Sequence, residues 1–301
     1  MKAVLLRETG GPEQLEYGDV PDPEPADGEV VVRVRAAAIN FLDVLVRQGR
    51  YPQPPPLPAI PGAEIAGEVD GRRVIALPRA GGYAEYAAVP ETSLVSLPDG
   101  ASFSEGASFL MAFLTAWLPL RNLERGQTVL VHAASGGVGS AAVQVARHLG
   151  ARVLATASSD EKRALARRLG AAETYGYDDF GESARGDVVF DPVGGDVFAA
   201  SLKVLEPLGT LHAIGYAGGM WEELNPALLV GRNIAVRGFY LGRLMGLRPG
   251  VVRAAIDELL ELWRQGAIRP LVGAEFALAD AAEAHRLIEE RRHVGKVVLV
   301  P

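Results

Sequence analysis

The chain has no cysteine in 301 residues. That excludes disulfides, thiolate zinc and iron–sulfur sites and a cysteine nucleophile together. Lysine is almost missing too: Lys2, Lys162, Lys203 and Lys296 stand beside 26 arginines. No apolar run reaches the roughly 18 residues needed to span a bilayer as a helix, so no membrane partner is expected. The N-terminal apolar stretch, Ala3 to Leu6, stops at Arg7 and Glu8. A secretory signal needs about 7–15 such residues, and a cytoplasmic protein is therefore expected. A net charge of −7 argues against nucleic acid as a partner, because that partner requires a basic face. The five histidines include no pair at helix-face ligand spacing, so no metal site is expected. What remains, 49% hydrophobic and 22% charged, is an ordinary globular composition, long enough for one or two domains.

Proline divides the chain. Fourteen of the 20 prolines fall in residues 1–119, among short β-branched runs such as Val30 to Val34 and Ile75 to Leu77. From about residue 115 the rhythm becomes strand, glycine, helix. Thr128 to His132 is a short apolar strand, and Val138 to Leu149 carries a helical stripe closed by Gly150. Arg152 to Ala157 and Asp160 to Leu169 repeat the unit, and Asp187 to Asp191, Thr210 to Ile214 and Ile234 to Gly238 supply more strands. Such alternation predicts βαβ units and a parallel sheet. Two helices and a strand, Lys296 to Val300, close the chain. A terminal strand needs a partner, and the strand-rich N-terminal segment offers one. The expectation is a discontinuous domain, residues 1–114 with 245–301, into which a nucleotide-binding unit, 115–244, is inserted.

The strongest local signal is Ala133-Ala134-Ser135-Gly136-Gly137-Val138-Gly139, between an apolar strand and an amphipathic helix. Gly136 would let the backbone approach a pyrophosphate, Gly139 would let the helix pack closely, and the helix N-terminus would face the phosphates. A glycine-rich turn without a ligand is the alternative reading. An NAD site places an acid at the end of the next strand. Here that strand ends Ala155-Thr156-Ala157-Ser158-Ser159, and the Asp160 and Glu161 that follow read as helix N-terminal residues, Ser158 with Glu161 having capping-box spacing. Ser158, Lys162 and Arg163 would suit a 2′-phosphate, or the two cations form a solvated helix face. The missing acid favours NADP.

Further stretches belong together: Asn40-Phe41-Leu42-Asp43, Tyr51-Pro52, Pro61-Gly62-Ala63-Glu64-Ile65-Ala66-Gly67, Gly82-Tyr83-Ala84-Glu85-Tyr86 and Leu114-Thr115-Ala116-Trp117. After the glycine loop come Asp191-Pro192-Val193-Gly194-Gly195 and Gly295-Lys296-Val297-Val298-Leu299. In this order, nearly end to end, they resemble the zinc-independent quinone oxidoreductase (zeta-crystallin-like) branch of the medium-chain dehydrogenase/reductase superfamily. The resemblance implies an α/β fold, a Rossmann doubly wound parallel sheet inserted in a GroES-like strand-rich catalytic domain. It implies a homodimer and a cofactor between the domains. Zinc-dependent relatives carry a ligating His where this chain has Ala63 and a ligating Cys near Asn40, so the resemblance also implies no metal.

By the same resemblance the cofactor is NADPH, with Lys162 and Tyr177 at the positions that NADPH-using members employ. Thr115, Ala134, Ser135, Gly136, Gly137, Val138, Gly139, Ser158, Gly215 and Phe239 complete the expected cofactor set. Asn40 and Tyr51 match positions around nicotinamide and substrate, where an amide or hydroxyl could donate to a carbonyl oxygen. Glu64 is equally a support or a functional group. The implied reaction is hydride transfer from NADPH to a quinone-type acceptor. Reduction of an enone or enoyl double bond, and NADPH binding without catalysis, are the alternatives. Water or Tyr51 would supply the proton.

Overall fold

The computed structural model describes residues 1–221 and 223–301. The chain forms two compact units, residues 1–111 with 270–301, and residues 112–269. In the first unit lie strands β1 (Lys2–Leu6), β2 (Leu15–Asp19), β3 (Glu29–Ile39), β4 (Ile65–Val69), β5 (Arg72–Ala76), β6 (Tyr86–Pro90) and β7 (Val95–Ser96). The second holds β8 (Thr128–Val131), β9 (Arg152–Thr156), β10 (Glu173–Tyr175), β11 (Gly186–Asp191), β12 (Leu205–Ala213) and β13 (Ala235–Gly238). β14 (Val272–Ala277) and β15 (Lys296–Val300) return to the first. No helix among the described residues is long and apolar enough to cross a membrane.

The first unit is built on a seven-stranded sheet in the order β14-β15-β3-β4-β5-β7, with β6 also paired to β3. The terminal strand does find its partner in the N-terminal segment: Val297 stands opposite Ile39 in an antiparallel pair. β3 is the hub because its eleven residues are long enough to pair with β15, β4 and β6. Val32, Val34, Ile39, Ile65, Val74, Val297 and Leu299 form its core, with Ala281, Ala284 and Ile288 of the helix Ala281–Glu289 packed on it. Asp280 stands at that helix's N-cap but its side chain caps nothing. A short helix, Phe41–Arg47, leaves the end of β3.

The second unit contains a parallel six-stranded sheet in the order β10-β9-β8-β11-β12-β13. Counted along the chain this is 3-2-1-4-5-6, the dinucleotide-binding order, whose topological switch lies between the first and fourth strands. The apolar runs that read as strands are buried: Val129, Leu130, Val131, Val153, Leu154, Val189 and Phe190. The helix Gly137–His148 follows β8, and Asp160–Leu169 follows β9.

The second boundary of this unit lies at residue 269, not 244. The physical reason is the helix Pro249–Arg264, whose Val252, Ala255, Ile256, Leu259, Leu260 and Trp263 are buried. Trp117 Nε1 donates to Glu258 at 2.9 Å, and Gln144 exchanges bonds of 3.0 and 2.8 Å with the backbone of Arg269. Both pairs are internal to residues 112–269. The first boundary, 111/112, falls inside the helix Leu110–Leu120, three residues before the expected place.

Two glycines at the start of the helix after β8, the N-cap Gly136 and the first-turn Gly139, separate packing from access. A Cβ on Gly139 would stand 2.1 Å from the Ala133 carbonyl oxygen, a backbone atom with no room to retreat. On Gly136 the nearest atom would be 3.4 Å away. Gly139→Ala should therefore destabilise the protein by about 2–3 kcal/mol, lowering Tm by several degrees in thermal denaturation. Gly136→Ala should leave Tm within about a degree of the parent. Equal effects of the two changes would contradict this assignment.

Candidate functional site

The second unit gathers one set of residues at the carboxyl edge of its sheet. β8 ends at Val131, the loop Ala133-Ala134-Ser135-Gly136 follows, and the helix Gly137–His148 begins. Ala134 and Ser135 are buried, and the Ala134 N–H is held by the Thr156 carbonyl at 3.0 Å. Gly136 is the N-cap, and no side chain caps the helix. The first-turn N–H groups of Gly137, Val138 and Gly139 thus form an uncapped positive helix end beside the switch point. That is the arrangement that receives a phosphate.

The neighbouring strand ends supply the rest. No acid stands at the end of β9, where Thr156 is buried, Ala157 follows, and Ser158 is exposed. The cap of the next helix is Ser159, not Ser158: its Oγ accepts from the Lys162 N–H at 3.2 Å. Asp160 is taken by Arg163 at 2.6 Å, and Arg163 also reaches the Ala157 carbonyl. Ser158 is therefore left out of the capping. Tyr177 lies two residues beyond β10, its hydroxyl accepting from the Ala133 N–H at 3.1 Å, so its phenol braces the glycine loop from below. Thr115, on the helix Leu110–Leu120, and Gly215, after β12, are half-buried. Phe239 follows β13, bonds the Ala213 carbonyl through its N–H, and lines a cavity of about 600 Å³ with Phe198, Trp221 and Leu224. At the end of β11 Asp191 holds its loop through Oδ1, which accepts from Val193 and Gly194 N–H at 2.8 and 3.0 Å. This Asx-type turn accounts for the Asp-Pro-Val-Gly-Gly motif.

The first unit gathers a different set. Asn40 follows β3, Glu64 precedes β4, and Lys296 opens β15, and the register places all three at one end of the sheet. All three are buried. Glu64 Oε1 accepts from the Met111 N–H at 2.8 Å, and Oε2 accepts from Asn40 Nδ2 at 3.2 Å and Lys296 Nζ at 3.1 Å. Lys296 Nζ also donates to Asn40 Oδ1 at 2.5 Å. Asp43 Oδ2 accepts the Asn40 backbone N–H at 2.8 Å, anchoring the start of the helix Phe41–Arg47. Tyr51 lies beyond that helix, half-buried against the core, its N–H bound to the Leu45 carbonyl. Ala63 is buried, and among the described residues no group of three or more His, Asp or Glu is placed to hold a metal. Lys296 was readable in the sequence only as a strand residue. A single ionisable residue opening an apolar run was the signal that it serves a buried partner.

Behind Asp43 runs a second chain of buried groups. The Tyr83 hydroxyl donates to Asp43 and meets His285 Nε2 at 3.2 Å. Arg47 Nε donates to His285 Nδ1 at 3.4 Å, which fixes the Nε2–H tautomer. Arg47 itself ends on the Gly10 carbonyl and Glu289. Burial pushes the Asp43 carboxyl up to about 7, against the pull of the Asn40 N–H, Lys296 and Tyr83. Burial holds His285 down to about 3, helped by Arg47. In the second unit burial lowers His132 to about 3 and, with Arg237, His212 to about 4. Asp191 is raised to about 6 by burial, its Oδ2 having no partner among the described residues.

A parallel sheet of this order inserted into a strand-rich unit defines a class. Residues 26–99 match the alcohol dehydrogenase GroES-like domain and residues 137–261 the zinc-binding dehydrogenase family, the two parts of medium-chain dehydrogenases/reductases. A quinone oxidoreductase of Pseudomonas aeruginosa is 38% identical, over 100% of this chain and 99% of its own length. The mouse synaptic vesicle membrane protein VAT-1 homolog-like is 34% identical, over 99% of this chain and 81% of its own. The quinone oxidoreductase from Thermus thermophilus, solved also in complex with NADPH, is 44% identical with a TM-score of 0.92, each chain covered completely. The chain belongs to the zinc-independent quinone oxidoreductase branch of the medium-chain dehydrogenase/reductase superfamily.

The shifted groups predict how stability depends on pH. His132, His212 and His285 take up protons near pH 6.5 only when unfolded, so their contribution is complete above 6.5 and is lost as pH falls toward 4. Asp43 and Asp191 act oppositely. Their folded values of about 7 and 6 lie above the usual 3.8, so the stability they confer is lost as pH rises through that window. Between about pH 4 and 7 the three unfolded histidines bind more protons than the two buried carboxyls hold, so thermal stability should rise with pH and level off above about 7. Asp43→Asn should steepen that rise between about pH 4 and 7 and leave the profile above it unchanged; an unchanged slope would exclude Asp43 as a contributor.

Proposed function

We propose that this protein is an NADPH-dependent quinone oxidoreductase, a cytoplasmic homodimer acting on a quinone or related conjugated carbonyl. The observation that carries the reading is the end-to-end likeness to quinone oxidoreductases, one of them solved with NADPH, joined to a phosphate-receiving loop with no acid at the end of β9. An uncapped helix end of twelve residues at a switch point suits a pyrophosphate. The first-turn N–H groups of Gly137, Val138 and Gly139 would hold it, with Ala134 and Ser135 shaping the loop. Lys162, whose ammonium is pulled below its usual range by burial, and the exposed Ser158 would meet the 2′-phosphate. Tyr177 would brace that corner, and Thr115, Gly215 and Phe239 would border the nicotinamide half. The edge of β13, unpaired among the described residues, with Val230 and Leu208 exposed nearby in sequence and sheet, supports assembly with a second copy.

NADPH, when bound, supplies the hydride. The protein's own part is to orient the acceptor, exclude water and answer the charge that develops on its oxygen. Tyr51 would border the acceptor. Asn40, expected as a direct donor, is instead occupied: its Nδ2 serves Glu64 and lies 3.5 Å from the Ala38 carbonyl. Bound in this way, it would position the groups around it.

Steady-state turnover of 1,4-benzoquinone and of a simple alkyl enone with NADPH tests the reaction. Quinone should be reduced the faster. Enone turnover with negligible quinone turnover would replace the reading by double-bond reduction, and tight NADPH binding without turnover of either would make the chain a binding protein. For the cofactor, Lys162→Ala should weaken NADPH about tenfold in Kd while leaving NADH nearly unchanged. Parallel losses for both nucleotides would remove Lys162 from the 2′-phosphate.

A further inference from the structure

We infer that Lys296 is the charged donor that meets the oxygen of the acceptor, held in place by Asn40 and Glu64; this rests on the oxidoreductase reading above. The amide of Asn40 is turned inward. Its oxygen accepts from Lys296, its Nδ2 faces Glu64 and Ala38, and its backbone N–H belongs to Asp43. Glu64 is fully buried and satisfied at both oxygens by three donors. An ammonium carries three N–H donors. Lys296 spends one on Asn40 and one on Glu64, and the third meets no protein acceptor among the described residues. In a chain lacking cysteine ligands, this ammonium is the cation that the buried carboxylate and amide fix at the end of the sheet.

A buried Lys–Glu pair does not by itself favour the fold, because removing two charges from water offsets most of their attraction. It does fix the position of a charge before any substrate arrives. That preorganisation is what stabilises a developing oxyanion. The charges facing Lys296 are Glu64 beside it and Asp43 from the helix Phe41–Arg47, the latter bound to Asn40 and Tyr83. During the reaction the acceptor gains a hydride from NADPH, which is two electrons with one proton, and its oxygen takes a second proton from water or Tyr51. Lys296 donates a hydrogen bond and keeps its own proton, so the cluster returns unchanged.

The test uses Lys296→Gln combined with Glu64→Gln, which removes both charges and leaves no unpaired ion, and Lys296→Arg, which keeps the charge. Three readouts apply: NADPH binding by fluorescence, kcat and KM with 1,4-benzoquinone, and the absorbance of 4-nitrophenolate, an oxyanion that needs no turnover. The double variant should bind NADPH within about twofold of the parent and lose about 100-fold in kcat, with KM moving less than about threefold. It should bind 4-nitrophenolate about tenfold more weakly. Lys296→Arg should keep phenolate binding and lose about tenfold in kcat, which decides between the outcomes even where the double variant does not fold. Parental kcat in a folded double variant, or in Lys296→Arg if only that one folds, overturns the inference. Unchanged phenolate affinity in the double variant overturns it as well. A parent inactive on quinone and enone alike but losing phenolate binding with Lys296 would reject the oxidoreductase reading and retain the oxyanion site.

Discussion

A carboxylate with no solvent exposure has to be answered from inside the protein, and Glu64 is such a group. Its donors come from three separate places: the Met111 backbone, the Asn40 amide and Lys296, which is 232 residues away. That requirement ties the end of β3, the start of β4 and the chain's last strand to one another. It also fixes register. Side chains alternate along a strand, so a slip of β15 by one residue would turn Lys296 to the opposite face and leave Glu64 a bare buried charge. The pairing of Val297 with Ile39 is thus held by chemistry as well as by apolar packing.

The second buried chain obeys a different limit. From Asp43 through Tyr83 to His285 each group can pass a proton, but the next is Arg47, whose guanidinium does not release one. Burial raises the Asp43 carboxyl to about 7, and the chain of groups beyond it does not conduct a proton to the surface. Its structural effect is to place Asp43 under the Asn40 N–H, so the helix Phe41–Arg47 starts where Asn40 faces Glu64 and Lys296.

Legibility in the sequence followed the range of the interactions. The parallel sheet, the glycine loop and the helix Asp160–Leu169 were all readable, because period, glycine and apolar runs are local properties. That the terminal strand pairs with the N-terminal segment was readable because an unpaired strand cannot stand alone. What failed was anything decided across the chain. Ser158 and Ser159 offer equivalent caps until the end of β9 fixes which backbone turns. The helix Pro249–Arg264 joins the second unit because its apolar stripe and Glu258 find partners there, and no linker composition marks the change. The buried partners of Asn40, Glu64 and Lys296, lie 24 and 256 residues away, so nothing local to Asn40 announced them.

The same contrast explains how the two halves can vary. In the second unit the glycine loop presents backbone, so it requires glycine where a Cβ would collide and tolerates Ala134 where the GxGxxG pattern has glycine. In the first unit the surface is side chain, and only certain atoms fit. With 26 arginines and four lysines, the composition of the chain runs strongly toward guanidinium. Yet position 296 carries lysine. A guanidinium is a planar fork that would span Asn40 and Glu64 with parallel bonds and aim its remaining donors sideways, whereas a compact ammonium can bond both and still point one N–H away from them. Lysine survives there because the geometry of a three-donor point charge is what the cluster uses.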